Sequence, residues 1–241
     1  MEPRIVGESK EELVGRNNAN FDESIQKVDK SMMYRDLSTV IICPTRGLFP
    51  TRVVQSWMKM MKPMNQLVAG PIFAESMEVA KAYNELMKYV FDNPYLTNYK
   101  YILTIEEDNI PPPDGLIKLY EGIEEYDAVG GLYWGKGEEG FPMIFGNPEK
   151  PGDMSPQKPL KDTLQRCNGL PMGFTLFKME MLKDIEGTLF KTKQEVGEHG
   201  EEFNLTQDLY FFQKAAKKGY KFACDTRVLV GHYEHQTDEV W

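Results

Sequence analysis

Tyr101 to Leu116 reads YILTIEEDNIPPPDGL. YILTI, 101–105, is a continuous apolar run with β-branched residues and predicts a buried strand. Three consecutive acids, Glu106, Glu107 and Asp108, end it, and Pro111 to Pro113 follow. Adjacent carboxylates repel unless solvent, a basic side chain or a divalent cation neutralises them. Mg²⁺ and Mn²⁺ take oxygen ligands, and Mg²⁺ often uses one or two carboxylates plus substrate phosphates. On extended backbone alternate residues point the same way. Glu106 and Asp108 can therefore share one target while Glu107 faces another. The prolines hold an extended path and keep the acids out of a helix. Taken alone, the triplet reads equally as a solvated acidic turn.

Around this strand the chain alternates. LSTVIIC, Leu37 to Cys43, predicts a buried strand. Val53, Val54, Trp57 and Met61 recur at helical spacing over Thr51 to Met61. QLVAG, 66–70, reads as a second strand stopped by Gly70 and Pro71. Met77, Ala80, Tyr83, Met87 and Val90 mark a second helix, and Leu116, Ile117, Tyr120 and Ile123 a third. AVGGLYW, 128–134, is a further strand. This order predicts an α/β fold with an open, mostly parallel sheet flanked by helices. Residues 135–165 then read as a long loop, with FPMIF as a hairpin. Gly173 to Phe177 is a strand, 189–204 a polar loop, and Leu209, Phe212, Ala215 and Ala216 a helix ended by Gly219. A last strand runs through KFACDTRVLVGHYEH. The expected organisation is a polar extension over 1–36, one domain over 37–235 and a tail over 236–241. The domain divides into a regular half, 37–134, and a loop-rich half, 135–235.

Composition narrows the function. Acids outnumber bases 37 to 28, a formal charge of −9. That argues against a nucleic-acid partner, since phosphate binding wants a basic face. Cys43, Cys167 and Cys224 are widely spaced, with no C-x-x-C pair. Neither a disulfide framework nor a structural zinc site is expected. No apolar run approaches the roughly 18 residues a membrane helix needs, so a soluble, cytoplasmic protein is expected. Neither a P-loop nor a dinucleotide glycine fingerprint is present.

Three further positions carry candidate chemistry. Pro44-Thr45-Arg46-Gly47 ends the first strand; Arg46 suits a phosphate or base carbonyl, and Thr45 a base or ribose. An ordinary strand-to-helix turn is the other reading. Asp208 opens the last helix, as a catalytic base or as helix-start electrostatics. His232 follows VLVG, as a nitrogen ligand of a mixed O/N site or as a structural histidine.

In this order the motifs resemble the GT-A fold glycosyltransferases, family 2 and its phage and bacterial relatives in particular. PTRG resembles the opening nucleotide-binding strand end. VAKAYNEL, Val79 to Leu86, resembles the helix with a donor-facing Asn, here Asn84. ILTIEEDNIPPPDGL resembles the aspartate-x-aspartate motif. NGLPMGFTLFKMEML resembles the acceptor-side segment, with Gly169, Met172 and Gly173. LTQDLYFFQKAAKKGYKFACDTRVLVGHYE resembles the catalytic-aspartate helix and terminal metal histidine. Three departures stand: Glu106 replaces the first aspartate, Gln207 the glutamate before the catalytic aspartate, and Tyr83 an arginine before Asn84. The resemblance implies a nucleotide-sugar half, 37–134, and an acceptor half, 135–235. It implies a UDP- or GDP-sugar donor, a glycan or other hydroxyl acceptor, and Mn²⁺ or Mg²⁺ on Asp108, Glu106 and His232. It places Pro44, Thr45, Arg46, Asn84 and Glu107 on the donor, and makes Asp208 the base of an inverting transfer. A sugar nucleotidyltransferase and a non-catalytic nucleotide-sugar-binding module are the alternatives.

Overall fold

The computed structural model describes residues 35–137, 140–150, 152–196 and 202–241. The expected N-terminal extension falls outside the described residues, Arg35 and Asp36 apart. The chain divides after Asp36, and the elements among the described residues belong to Leu37–Trp241.

Three parallel strands and the helices between them come first: β1 (Thr39–Thr45), α1 (Thr51–Lys59), β2 (Val68–Glu75), α2 (Val79–Asp92) and β3 (Tyr101–Ile105). The short β4 (Asn109–Ile110), α3 (Gly115–Gly122) and β5 (Ala128–Leu132) follow. The second half holds β6 (Leu164–Cys167), β7 (Phe174–Lys178), α4 (Met179–Asp184), β8 (Lys193–Val196) and β9 (Glu202–Leu205). It ends with α5 (Gln207–Lys217), β10 (Phe222–Leu229), β11 (Gly231–Glu234) and β12 (Glu239–Val240). The main sheet has seven strands in the order β2-β1-β3-β7-β5-β10-β6. β2, β1, β3, β5 and β10 run together, while β7 lies antiparallel between β3 and β5, and β6 closes one edge antiparallel to β10.

β1 and β3 are buried along their whole length, as expected of strands covered on both faces. Their period of two divides the side chains between two apolar layers. Val40, Ile42 and Ile102 pack on one side with Tyr83, Met87, Phe211 and Phe212. Ile41, Cys43, Leu103 and Ile105 pack on the other with Leu116, Leu119 and Phe174. The three cysteines are free and buried.

Several sequence expectations need correction. β2 does not stop at Gly70 but runs to Glu75. Gly70 and Pro71 together oppose the single residue Ile41, between the pairs Val40–Ala69 and Ile42–Ile72. This bulge lies on an edge strand, where a proline costs no ladder bond. The loop expected over 135–165 contains the start of β6; at the expected hairpin, the antiparallel bridge Trp134–Pro142 is flanked by bonds from Gly135 N to the Phe141 carbonyl and from Met143 N to the Tyr133 carbonyl, both at 2.9 Å. The polar loop expected over 189–204 contains the β8–β9 hairpin. The tail 236–241 is not separate: β12 pairs with β11.

Candidate active site

β1 and β3 are parallel neighbours, so their carboxyl ends open on the same edge, where α/β sheets bind ligands. A cleft of about 440 Å³ lies there, lined by Pro44, Thr45, Arg46, Glu106, Glu107 and Asp108 from the predicted set, and also by Met77, Val79, Lys136 and Gln207. That volume falls within the usual range for small-molecule sites, roughly 300–1,000 Å³.

The acidic triplet divides three ways. Glu107 turns to the end of β1. Its Oε2 accepts from Thr45 Oγ1 at 2.6 Å and from the Arg46 amide at 2.7 Å, and its Oε1 accepts from Arg46 Nε. Gly47 N donates to Thr45 Oγ1 at 2.8 Å. Burial opposes the Glu107 charge, but these donors outweigh it and hold its pKa below the ordinary value. Glu107 thus shapes the Thr45–Gly47 turn and leaves the rest of the Arg46 guanidinium exposed to the cleft edge. Glu106 turns inward and accepts from the Tyr83 hydroxyl at 2.8 Å. Burial, then the Asp108 charge, push its pKa up to about 7, against the Tyr83 bond. Tyr83, at the position of the expected arginine, therefore serves the acid and not the solvent.

Asp108 and Lys136 line the cleft, and His232 lies beside Asp108. β4 pairs antiparallel with β11, setting His232 opposite Asn109, and Tyr233 N donates to the Asp108 carbonyl at 2.7 Å. This register brings His232 Nε2 to 3.5 Å from Asp108 Oδ2. The far side of the ring is fixed: Nδ1 lies 2.8 Å from the Trp134 carbonyl. A carbonyl only accepts, so Nδ1 carries a proton. In the neutral ring Nε2 then presents a lone pair toward a carboxylate oxygen. A cation between them, or a second ring proton, removes that repulsion. Histidines bound to metals usually donate their other ring N–H in this way. Lys136 Nζ sits 2.6 Å from the same Oδ2 and 4.0 Å from Glu234 Oε2. Burial raises the Asp108 pKa, but His232 and Lys136 overcome it and bring it down to about 2.

Asp108 and His232 would offer a divalent cation one oxygen and one nitrogen ligand, a donor set that suits such an ion. Glu106, whose Oε1 accepts from the Tyr83 hydroxyl, lines the same cleft. Among the described residues no cluster of three or more His, Cys, Asp or Glu side chains is arranged to hold a metal by itself.

Asp208 begins α5 and is 7% exposed. Its Oδ1 accepts from Thr206 Oγ1 and from Leu209 N, the latter at 2.9 Å. Burial raises its pKa despite both bonds. Its charge contributes to the raised pKa values of Glu106 and Tyr133. Gln207, its neighbour, lines the cleft.

The remaining predicted residues hold the frame. Both N–H groups of the Asn84 amide are used, on the Ala80 carbonyl at 2.8 Å and the Phe190 carbonyl at 2.7 Å, while its Oδ1 accepts from Phe190 N. Asn84 thus pins the segment before β8. Gly169 bridges to Phe145, and Met172 is buried, its carbonyl 3.5 Å from the Tyr83 hydroxyl. Gly173 N donates to the Tyr133 hydroxyl at 2.9 Å, and Gly173 O accepts from Glu106 N at 3.2 Å. A side chain at 173 would collide with Asn109 Oδ1 and Tyr133 Oη. The glycine thus permits β7 to approach the acidic segment. Asn109 is fully buried and its side-chain amide has no hydrogen-bond partner among the described residues.

Sequence reasoning missed Lys136. Its signal was positional: it lies just past the carboxyl end of β5, on the ligand-binding edge.

The architecture is an open, mostly parallel α/β sheet flanked by helices, with an acidic cleft at the strand ends. No protein-family model matches the chain, and no curated protein matches it. Among solved structures, it is similar to A197 from STIV, at 18% identity and a TM-score of 0.58, covering 84% of this chain and 92% of that one. It also matches S. aureus TarS 1-349 at 16% identity and a TM-score of 0.47, covering 80% of this chain and 60% of that one. The same protein in complex with UDP-GlcNAc gives 16% identity and a TM-score of 0.44, covering 84% and 61%. The likeness to A197 is one of fold.

Proposed function

We propose that the chain is a metal-dependent glycosyltransferase that moves a sugar from a UDP- or GDP-sugar to an acceptor hydroxyl with inversion. The observation that carries this reading is the Asp108–His232 pair at the strand-end cleft, which Gln207 also lines, next in sequence to the buried carboxylate Asp208. Arg46, oriented by Glu107, supports the donor side. Asp108 and His232 would hold a divalent cation, Mn²⁺ or Mg²⁺, at the diphosphate end of the donor. When bound, that ion supplies Lewis-acid stabilisation of the leaving diphosphate. Asp208 takes the acceptor hydroxyl proton as the new C–O bond forms at the anomeric carbon and the bond to the diphosphate breaks. A raised pKa makes its carboxylate a stronger base than an exposed one. Gly169, Met172 and Gly173 belong to the wall that the acceptor would meet. Among the described residues no helix is long and apolar enough to cross a membrane.

A panel of nucleotide sugars with Mn²⁺, scored for binding and donor hydrolysis, tests this. The expected result is uptake and slow hydrolysis of one UDP- or GDP-sugar, lost in EDTA. Metal-independent binding without hydrolysis would instead identify a non-catalytic module. Pyrophosphate release from a nucleoside triphosphate and a sugar phosphate would identify a nucleotidyltransferase.

A further inference from the structure

Lys136 has no part in the scheme above, yet it makes the closest polar contact to the cleft face of Asp108. Its Nζ lies on Oδ2, the same oxygen that faces His232 Nε2. A divalent ion held between Oδ2 and Nε2 would sit within a few ångströms of this ammonium, and like charges at that range repel strongly. The ammonium and the ion therefore compete for one oxygen. The lysine has somewhere to go. It is flanked by Gly135 and Gly137, and Gly137 adopts φ +95°, a backbone conformation that favours glycine. The lysine stem is four carbons long and flexible, and the side chain is 25% exposed to the cleft. An ammonium pushed off Asp108 remains beside the place where the diphosphate would sit.

We propose that Lys136 is a donor-binding residue that neutralises Asp108 in the empty site, is displaced by the divalent cation, and then pairs with the donor's diphosphate. This rests on the nucleotide-sugar reading of the same cleft. It gives the lysine two opposite effects: it weakens binding of the cation alone and strengthens binding of the nucleotide once the cation is in place. A merely structural lysine would not move the two constants in opposite directions.

The test uses the full chain, Lys136→Met, and Lys118→Met as a control for net charge, since Lys118 pairs with Asp114 away from the cleft. Free Mn²⁺ is followed by electron paramagnetic resonance without nucleotide. UDP and GDP binding is then measured by calorimetry at saturating Mn²⁺. Lys136→Met should bind Mn²⁺ about tenfold more tightly than the unaltered chain and the nucleotide about tenfold more weakly, with Lys118→Met changing neither. Unchanged or weaker Mn²⁺ binding in Lys136→Met overturns the proposal and leaves the metal site standing. Unchanged or tighter nucleotide binding overturns it as well. If neither protein takes up Mn²⁺, the metal site falls with it.

Discussion

Burial lifts the Asp208 carboxyl above the ordinary carboxylate range even though Thr206 and Leu209 both donate to it. A carboxyl whose folded pKa exceeds its unfolded pKa favours the folded state below the unfolded value, and that contribution is lost as pH rises through the folded one. At neutral pH the ionised form is therefore a burden on the fold. Asp208→Asn keeps an acceptor oxygen for both donors and removes the charge. It should raise Tm by about 2–4 °C, the equivalent of about 1 kcal/mol for a chain of this size. Turnover should fall by about 10²–10⁴-fold with nucleotide binding retained. Thermal melts beside an activity assay check both, and undiminished turnover would remove Asp208 as base. Glu107 runs the other way. Its pKa is lowered, so its stabilising contribution is present above the unfolded value and lost as pH falls. Glu107→Gln keeps one acceptor but loses the charge-assisted bond to Arg46. Nucleotide affinity should drop about tenfold, and calorimetry at fixed Mn²⁺ would show it.

Asp108 and His232 are separated by more than a hundred residues, and the element that joins them is a two-residue strand. β4 pairs with β11, and β11 is held from its other side by the chain end: His232 and Trp241 exchange both backbone hydrogen bonds, at 2.9 and 3.0 Å. The prolines after β4 are also fastened, since Ser56 Oγ donates to the Pro111 carbonyl at 2.7 Å and Met61 N to the Pro113 carbonyl at 2.7 Å. Removing Glu239–Trp241 should therefore loosen His232 while the main sheet stays intact. The expected result is Mn²⁺ affinity lower by about tenfold with unchanged far-UV circular dichroism; a full-strength Mn²⁺ site in the truncated chain would detach β12 from the site. The residue types of this site were readable from the sequence because each stands at the end of an apolar run. Their register was not, because strand pairing over such distances leaves no local pattern. The same limit hid the reversed direction of β7, since a buried strand shows no difference between parallel and antiparallel neighbours. It also hid β6, whose LQRC carries two polar residues, and the polar β8–β9 hairpin.

Across the whole molecule, the alternation of apolar runs and amphipathic helices was enough to place most of the sheet, because its inner strands β1, β3, β7 and β5 are covered on both faces. What the pattern could not reveal was how one edge of that sheet gathers charge. The chain carries a formal charge of −9, and three acids stand at the mouth of the cleft against Arg46 and Lys136. An anionic diphosphate approaching this edge meets a field of its own sign unless a cation accompanies it. Metal and nucleotide should therefore stabilise the fold together and not separately. A ligand that binds only the folded state at a hundred times its Kd contributes about 2.7 kcal/mol, and about 2–4 °C accompanies each kcal/mol in a chain of this length. UDP or GDP with Mn²⁺ should then raise Tm by roughly 5–10 °C, while either nucleotide in EDTA, or Mn²⁺ alone, should raise it by less than half as much. Differential scanning fluorimetry across the four conditions decides the matter. An equal shift with nucleotide in EDTA would mean that Arg46 and Lys136 suffice for the phosphates, and Asp108 with His232 would then lose their place as cation ligands.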